Sequence, residues 1–345
     1  MQSRVSLEIG VLKERSDNIN ILILSAGRRV ELVNCFKAAR DRLGIRGRVV
    51  AADASNLAPA LYFADEREQV PRISDNDGYI SSIIDICNKY DIALIVPTID
   101  TELLLLAKRR DEIESATDAF VLISSLDVIR ICRDKTNTQK WLEEHGFLVP
   151  RMISDEEIDD GWVAYPVFIK PLDGSSSINA FKAENKDEID TYRKLIGDGK
   201  YIIQDFMEGT EYTIDCFLDM EGRIITVVPR IRIATRSGEI AKGRIVRDEG
   251  IIKDVTRLLT ELKPIGHITI QCMRTERGIE YIEINPRFGG GAPMSIMAGA
   301  DSCEKLYRLV RGERLEPDDG FRDKVTFLRF DASIMLNEDC EPEEP

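Results

Sequence analysis

The 345-residue sequence predicts an α/β protein that opens with a parallel sheet and passes, near Ser124, into a second unit of strands and helices. Three observations predict it. From Ile19 onward, strand-like apolar runs alternate with amphipathic segments, the rhythm of a parallel sheet with helices on its faces. A fresh set of helix-start and helix-stop signals follows Ser124. Beyond residue 165, strand-length apolar runs recur with few helical stretches between them.

In order, 19–26 reads as a strand, 30–43 as an amphipathic helix, 48–52 as a strand, 79–90 as a helix and 92–97 as a strand. The first strand ends in Ser25-Ala26-Gly27-Arg28-Arg29, which lacks the Gly-x-Gly-x-x-Gly spacing of a dinucleotide turn, so no nicotinamide cofactor is expected. A tight strand-to-helix turn and an anion contact through Arg28 or Arg29 both remain open there. Asp53 and the 97–102 turn carrying Asp100 also follow strands and share that edge of the sheet, where ligands gather. Helix capping explains either acid equally well.

In the second unit Asp127 starts a short helix that ends before Arg133-Asp134-Lys135, and a helix over 136–145 stops at Gly146 and Pro150. Residues 155–161 are expected to form an acidic surface loop, 166–171 a buried strand that delivers Lys170, and 173–177 a small Gly/Ser loop. Strands are expected over 201–207, 211–217, 224–228 and 268–272, with a helix over 252–262. The acidic, proline-containing end 338–345 is expected to be disordered. No repeat of 20–50 residues is visible.

Composition excludes several function classes. A formal charge of −14 makes nonspecific nucleic-acid binding implausible, because phosphate backbones call for a basic surface. The seven cysteines are scattered, without a Cys-x-x-Cys pair, and read as reduced core residues. Two histidines leave little material for a His-based nucleophile or metal centre. No run of ~18 apolar residues suggests a membrane span, and the charged opening lacks the apolar stretch of a signal peptide. A cytoplasmic location without membrane or nucleic-acid partners is expected.

The chemistry concentrates in Tyr281-Ile282-Glu283-Ile284-Asn285-Pro286-Arg287. On a strand alternate side chains share a face, so Glu283 and Asn285 point together, and Gln271 can join them from a neighbouring strand. One carboxylate between two amide oxygens suits magnesium shared with phosphates, and Arg287 suits the phosphate oxygens. A merely solvated strand end is the bland alternative.

The ordered series Lys135, Lys170, the 173–177 loop, the 204–211 strand, then Gln271, Glu283, Asn285 and Arg287 resembles the ATP-grasp superfamily over about residues 18–311, with its carbamoyl-phosphate-synthase-like branch the nearest pattern. The resemblance implies a Rossmann-like N-terminal domain over 18–124, a linker and lid subdomain over 125–205, and a C-terminal subdomain with the metal site over 206–335. Residues 1–17 and 336–345 are expected to be flexible. It further implies ATP as cofactor with one or two magnesium ions. Lys135 and Lys170 would grip phosphates, Gly174, Ser175 and Ser176 would cover them as a lid, and Gln204, Asp205, Phe206 and Met207 would meet adenine. Glu211 would accept the ribose hydroxyls, while Gln271, Glu283 and Asn285 would hold the metal. Arg287, with Lys170, would serve catalysis.

The implied reaction is carboxylate–amine or carboxylate–thiol ligation through an acyl phosphate, releasing ADP and phosphate. Its partners are a small carboxylic acid and an amine, in a protein that can pair as a homodimer. Basic residues crowd 230–247, and Arg232 and Arg244, together with Arg28 and Asp100, are candidates for the substrate. A noncatalytic nucleotide sensor or accessory subunit, or a carboxyphosphate-forming carboxylase, is the alternative.

Overall fold

The computed structural model describes residues 18–172, 179–197 and 201–343. Its first layer comprises β1 (Asn20–Ile23), α1 (Val30–Arg42), β2 (Val49–Asp53), a 3-10 turn at Pro59–Phe63, β3 (Glu66–Gln69), α2 (Asn76–Tyr90), β4 (Ile92–Val96), α3 (Asp100–Ala116) and β5 (Phe120–Val121). The strands are parallel in the order β3-β2-β1-β4-β5. Helices cover both faces, so the central strands are apolar throughout. Ile21 and Ile23 pack in one core with Phe36 of α1, whereas Leu22 and Leu24 pack in another with Ile80 of α2 and Leu103 of α3.

Next come α4 (Leu126–Arg133), α5 (Lys135–Glu144), β6 (Met152–Ile153), α6 (Asp155–Asp159), β7 (Val167–Pro171), β8 (Phe181–Ala183), α7 (Lys186–Ile196) and β9 (Tyr201–Asp205). Their four strands form an antiparallel sheet in the order β6-β9-β7-β8. The acidic stretch 155–161, expected as a loop, contains the single-turn helix α6. Ser154 and Glu157 make a reciprocal capping box, with Glu157 N–H donating to Ser154 Oγ at 3.2 Å and Ser154 N–H to Glu157 Oε2 at 2.9 Å.

The third unit holds β10 (Thr210–Leu218), β11 (Ile224–Arg236), β12 (Glu239–Ile245), α8 (Glu249–Leu262), β13 (Gly266–Thr275), β14 (Gly278–Asn285), α9 (Ala292–Met297), α10 (Ser302–Val310) and β15 (Thr326–Leu328). Its antiparallel sheet runs β14-β13-β10-β11-β12-β15. The 13-residue β11 extends well past the strand expected at 224–228 and returns through a tight turn at Ser237 and Gly238, both at positive φ (50° and 73°), a turn that favours glycine. Ile214 and Cys216 of β10 pack against Val255, Leu258 and Leu259 of α8. The period of two then turns Glu211, Thr213 and Asp215 to the opposite face, where the site lies.

One core joins the first and third units. Phe36 meets Phe288 and Tyr307 edge-on, with ring centroids 5.9 and 6.2 Å apart. The tail, expected to be disordered, has Leu336 bridged to Pro342 and Glu341 2.5 Å from Arg67 within its described residues.

Candidate active site

Register builds the site. Gln271 on β13 stands opposite Glu283 on β14 and Thr213 on β10, and Thr213 stands opposite Arg230 on β11. Glu283, Gln271, Thr213 and Arg230 therefore form one row across four adjacent strands on the face away from α8. Glu283 Oε1 accepts from Gln271 Nε2 at 2.5 Å and from Asn285 Nδ2 at 2.8 Å. A single carboxylate is thus held between two amides. Among the described residues no group of three or more His, Cys, Asp or Glu is placed to hold a metal ion.

Two cavities meet at this row, and a third adjoins the larger of them. The first, about 290 Å³, lies between the second and third sheets and is lined by Phe168, Lys170, Gln204, Asp205, Phe206, Met207, Glu211, Met273 and Ile282. A larger one, about 490 Å³, is lined by Arg29, Asp100, Arg133, Thr138, Arg230, Glu239, Asn285, Arg287 and the glycines 289–291. Lys135, Arg232, Gly238, Gln271, Ile282 and Glu283 line both. A third, about 200 Å³, reaches from Arg29, Glu239 and Gly290 to Arg28 and the start of α1.

The electrostatics differ along this path. Burial pushes the Lys170 ammonium down to about 8, with Glu283 pulling it up and Lys135 pressing it further down. Burial likewise pushes the Glu211 carboxyl up, opposed by Arg232, whose Nε lies 2.9 Å from it. Arg232 also donates to the Gly238 carbonyl at 2.9 Å. Lys135 Nζ donates to the carbonyls of Pro171 and Leu172 at 3.1 and 2.9 Å, joining the start of α5 to the end of β7. The large cavity carries six cationic side chains (Arg29, Arg133, Lys135, Arg230, Arg232 and Arg287) against three acids (Asp100, Glu239 and Glu283). A chain of net charge −14 has gathered a positive site that focuses on an anion.

Arg287 Nη2 donates to Asp100 Oδ2 at 2.5 Å. The turn leading into Asp100 is fixed by Glu102, a buried acid whose side chain accepts from Thr98 N–H (2.7 Å), Ile99 N–H (3.2 Å), Ser25 Oγ (2.6 Å) and Tyr79 OH (2.7 Å). Burial raises the Glu102 carboxyl while these donors pull it down.

Among the residues singled out from sequence, Lys135, Lys170, Gln204, Asp205, Phe206, Met207, Glu211, Arg232, Gln271, Glu283, Asn285, Arg287 and Asp100 line the two principal cavities. Arg28 lines the third. Gly174, Ser175 and Ser176 lie outside the described residues. Arg244 is exposed at the far edge of the sheet, where Nε donates to Thr326 Oγ1 at 3.0 Å, and it lines none of the three cavities. Asp53 accepts from Gly27 N–H at 2.8 Å and Ser55 N–H at 2.9 Å, a turn-holding role. Sequence reasoning missed Thr213, Glu239 and the part of Glu102, and did not separate Arg230 from its basic neighbours. The i, i+2 spacing of Arg230 and Arg232 on one strand was the available signal.

Residues 21–119 match the model of the PylC-like N-terminal domain, and residues 132–291 match that of the ATP-grasp domain. Residues 132–291 thus form an ATP-grasp domain. The chain is 32% identical over 158 residues to D-alanine–D-alanine ligase B of Clostridium perfringens, an alignment covering 41% of this chain and 52% of that protein. It is 25% identical over 183 residues to a carbamoyl-phosphate synthase of Methanobrevibacter smithii, covering 52% of this chain and 48% of the relative. The chain thus spans about half the length of these curated relatives.

Among solved structures, the biotin carboxylase domain dimer of Hydrogenobacter thermophilus 2-oxoglutarate carboxylase, in complex with MgADP, ADP and bicarbonate, superposes with a TM-score of 0.69 at 18% identity, covering 89% of this chain and 73% of that one. N5-carboxyaminoimidazole synthetase from Staphylococcus aureus complexed with ADP gives 0.69 at 17% identity, covering 88% and 80%. At such identities the likeness is one of ATP-grasp fold; function has to be argued from the site. Among the described residues no helix is long and apolar enough to cross a membrane.

Proposed function

We propose that this chain is an ATP-dependent carboxylate–amine ligase that activates a small acid as its acyl phosphate and releases ADP and phosphate. The observation that carries the reading is the junction of the two principal cavities at Glu283, Gln271, Lys135 and Arg232. One cavity is built for a nucleotide and the other for a small charged substrate, and the transfer chemistry sits where they meet.

The residues present fit the nucleotide. Phe168, Phe206, Met207, Met273 and Ile282 give the 290 Å³ cavity apolar walls for a base. Glu211 offers a carboxylate for ribose hydroxyls. Lys170 stands half-buried near Glu283, and Lys135 is fixed by two carbonyls at the phosphate end. A lone carboxylate between two amides fits a magnesium ion that takes its remaining ligands from water and phosphate. When bound there by Glu283, Asn285 and Gln271, that ion would neutralise charge on the β- and γ-phosphate oxygens.

In the first step an oxygen of the acid attacks the γ-phosphorus, and the bond to the β-phosphate oxygen breaks, leaving ADP. Arg287, Lys170 and Lys135 supply positive charge around the phosphoryl group, and no protein nucleophile is needed. In the second step the amine nitrogen attacks the acyl carbon and phosphate departs with its bonding electrons. The amine loses its proton to a carboxylate of the cavity wall, Asp100 or Glu239. Three units serve this division of labour: 18–124 as one wall of the substrate cavity, 125–205 over the nucleotide, and 206–335 as the charged floor.

The test is isotopic. With the acid labelled by ¹⁸O in its carboxylate, one labelled oxygen passes to phosphate for each ADP released. Phosphate without label would mean that water, not the acid, receives the phosphoryl group.

A further inference from the structure

Resting on the ligase reading, we propose that Arg230 binds a second, non-reacting carboxylate of the acid substrate, so that the preferred acids are dicarboxylic. Arg230 is 1% exposed and lies in the wall of the 490 Å³ cavity. Its Nη2 donates to Asp215 Oδ2 at 3.0 Å, while its buried Nε and Nη1 have no hydrogen-bond partner in the structure. A guanidinium carries five N–H donors, and buried donors are matched in the great majority of cases. Donors left over at the wall of a ligand-sized cavity ask for an acceptor from the ligand.

The surroundings are built to keep this charge in place. Asp215 accepts from Ser295 Oγ at 2.5 Å as well as from Arg230, and His267 Nε2 lies 3.6 Å from its other oxygen. Burial alone would raise the Asp215 carboxyl, but Arg230, the nearby His267 ring and the Ser295 hydroxyl hold it well below the usual carboxylate range, ionised beneath its partner. Glycines pack closely on the rest of the side chain, Gly291 against the guanidinium and Gly243 against its methylene stem. A Cβ on Gly291 would lie 2.6 to 2.8 Å from its terminal atoms, and a Cβ on Gly243 would lie 3.1 Å from its Cδ.

Position separates this charge from the reacting centre. Glu283 and Arg230 are the outer members of the four-strand row. With strands ~4.8 Å apart, their backbones stand roughly 14 Å from each other. One carboxylate cannot serve both ends, whereas an acid with two can present one to the phosphoryl group and the other to Arg230.

The experiment measures binding and turnover side by side. Wild type, Arg230→Lys and Gly291→Ala are titrated, with magnesium and a non-hydrolysable ATP analogue, against matched acids that differ only in an amide for the second carboxylate: glutarate and its monoamide, L-glutamate and L-glutamine, L-aspartate and L-asparagine. Gly291 sits at φ −99°, so alanine is tolerated by the backbone and its Cβ presses on the Arg230 guanidinium. The expected result is that at least one diacid binds wild type tenfold or more tighter than its amide partner, and that this ratio collapses in both variants. Equal affinity within every pair, or a ratio unchanged in folded variants, overturns the proposal. ADP release from ATP itself, measured in parallel with the same proteins, acids and an added amine, tests the ligase reading separately, since selective binding of a diacid without turnover would contradict that reading and leave the Arg230 assignment standing.

Discussion

Arg287, two residues beyond β14, is bonded at 2.5 Å to Asp100, the first residue of α3 and 187 positions away in sequence. The contact fixes a cation of the charged floor against the edge of the parallel sheet. It makes the substrate cavity a joint product of two units that neither could form alone.

Truncating Arg287 should therefore cost more than releasing it. Arg287→Ala is expected to lower kcat for ADP release on the order of 10²–10³-fold, as for other removed charge-stabilising donors. Asp100→Asn keeps the guanidinium but loosens its aim, with an expected loss of about tenfold that appears partly in KM. Steady-state kinetics on both variants decides the order.

Lys170 sets a pH dependence of definite sign. Its folded value of about 8 lies below the ~10.4 of a free lysine, so between those values the unfolded chain holds the extra proton. Stability of the nucleotide-free protein should rise with pH from about 8 to about 10.4. Affinity for ATP should move oppositely, weakening by up to tenfold per pH unit above 8 as the cation is lost. Titrations at pH 7, 8 and 9 check this, and Lys170→Met should flatten the slope.

Glu283→Gln removes the single carboxylate between Gln271 and Asn285 while keeping its size. The enhancement of ATP affinity by magnesium should disappear in this variant, leaving nucleotide binding the same with and without the metal. Calorimetric titration in the presence and absence of magnesium measures it.

Glu102→Ala leaves four donors without their acceptor, two side-chain hydroxyls and two backbone N–H groups. Unmatched buried donors cost about 1–3 kcal/mol each before water or relaxation relieves them, so a destabilisation of about 3 kcal/mol or more is expected in denaturant unfolding. The turn leading into Asp100 should loosen with it, raising KM for the acid.

The parallel sheet was legible because its central strands are buried on both faces and read as unbroken apolar runs, as in Ile92-Ala93-Leu94-Ile95-Val96. Glu283 and Asn285 could be placed on one face because strand alternation is local. The long helix α3 was harder to see, since its start overlaps the turn that carries Asp100 and its exposed side is strongly charged. Arg230 and Arg236 looked alike in sequence. Only the antiparallel pairing of β10, β11 and β13 shows that Arg230 is buried over Asp215 while Arg236 pairs with exposed Asp331. Contacts such as Arg287 with Asp100 depend on packing between units, to which no local pattern points.

The most direct measurement is ADP release from ATP and magnesium across a panel of mono- and dicarboxylic acids and amino acids, each with and without an amine, with Glu283→Ala as the control. Turnover that requires one acid and vanishes in the control is the expected result. ATP binding without stimulation by any acid across the panel would contradict the assignment of this site as a ligase.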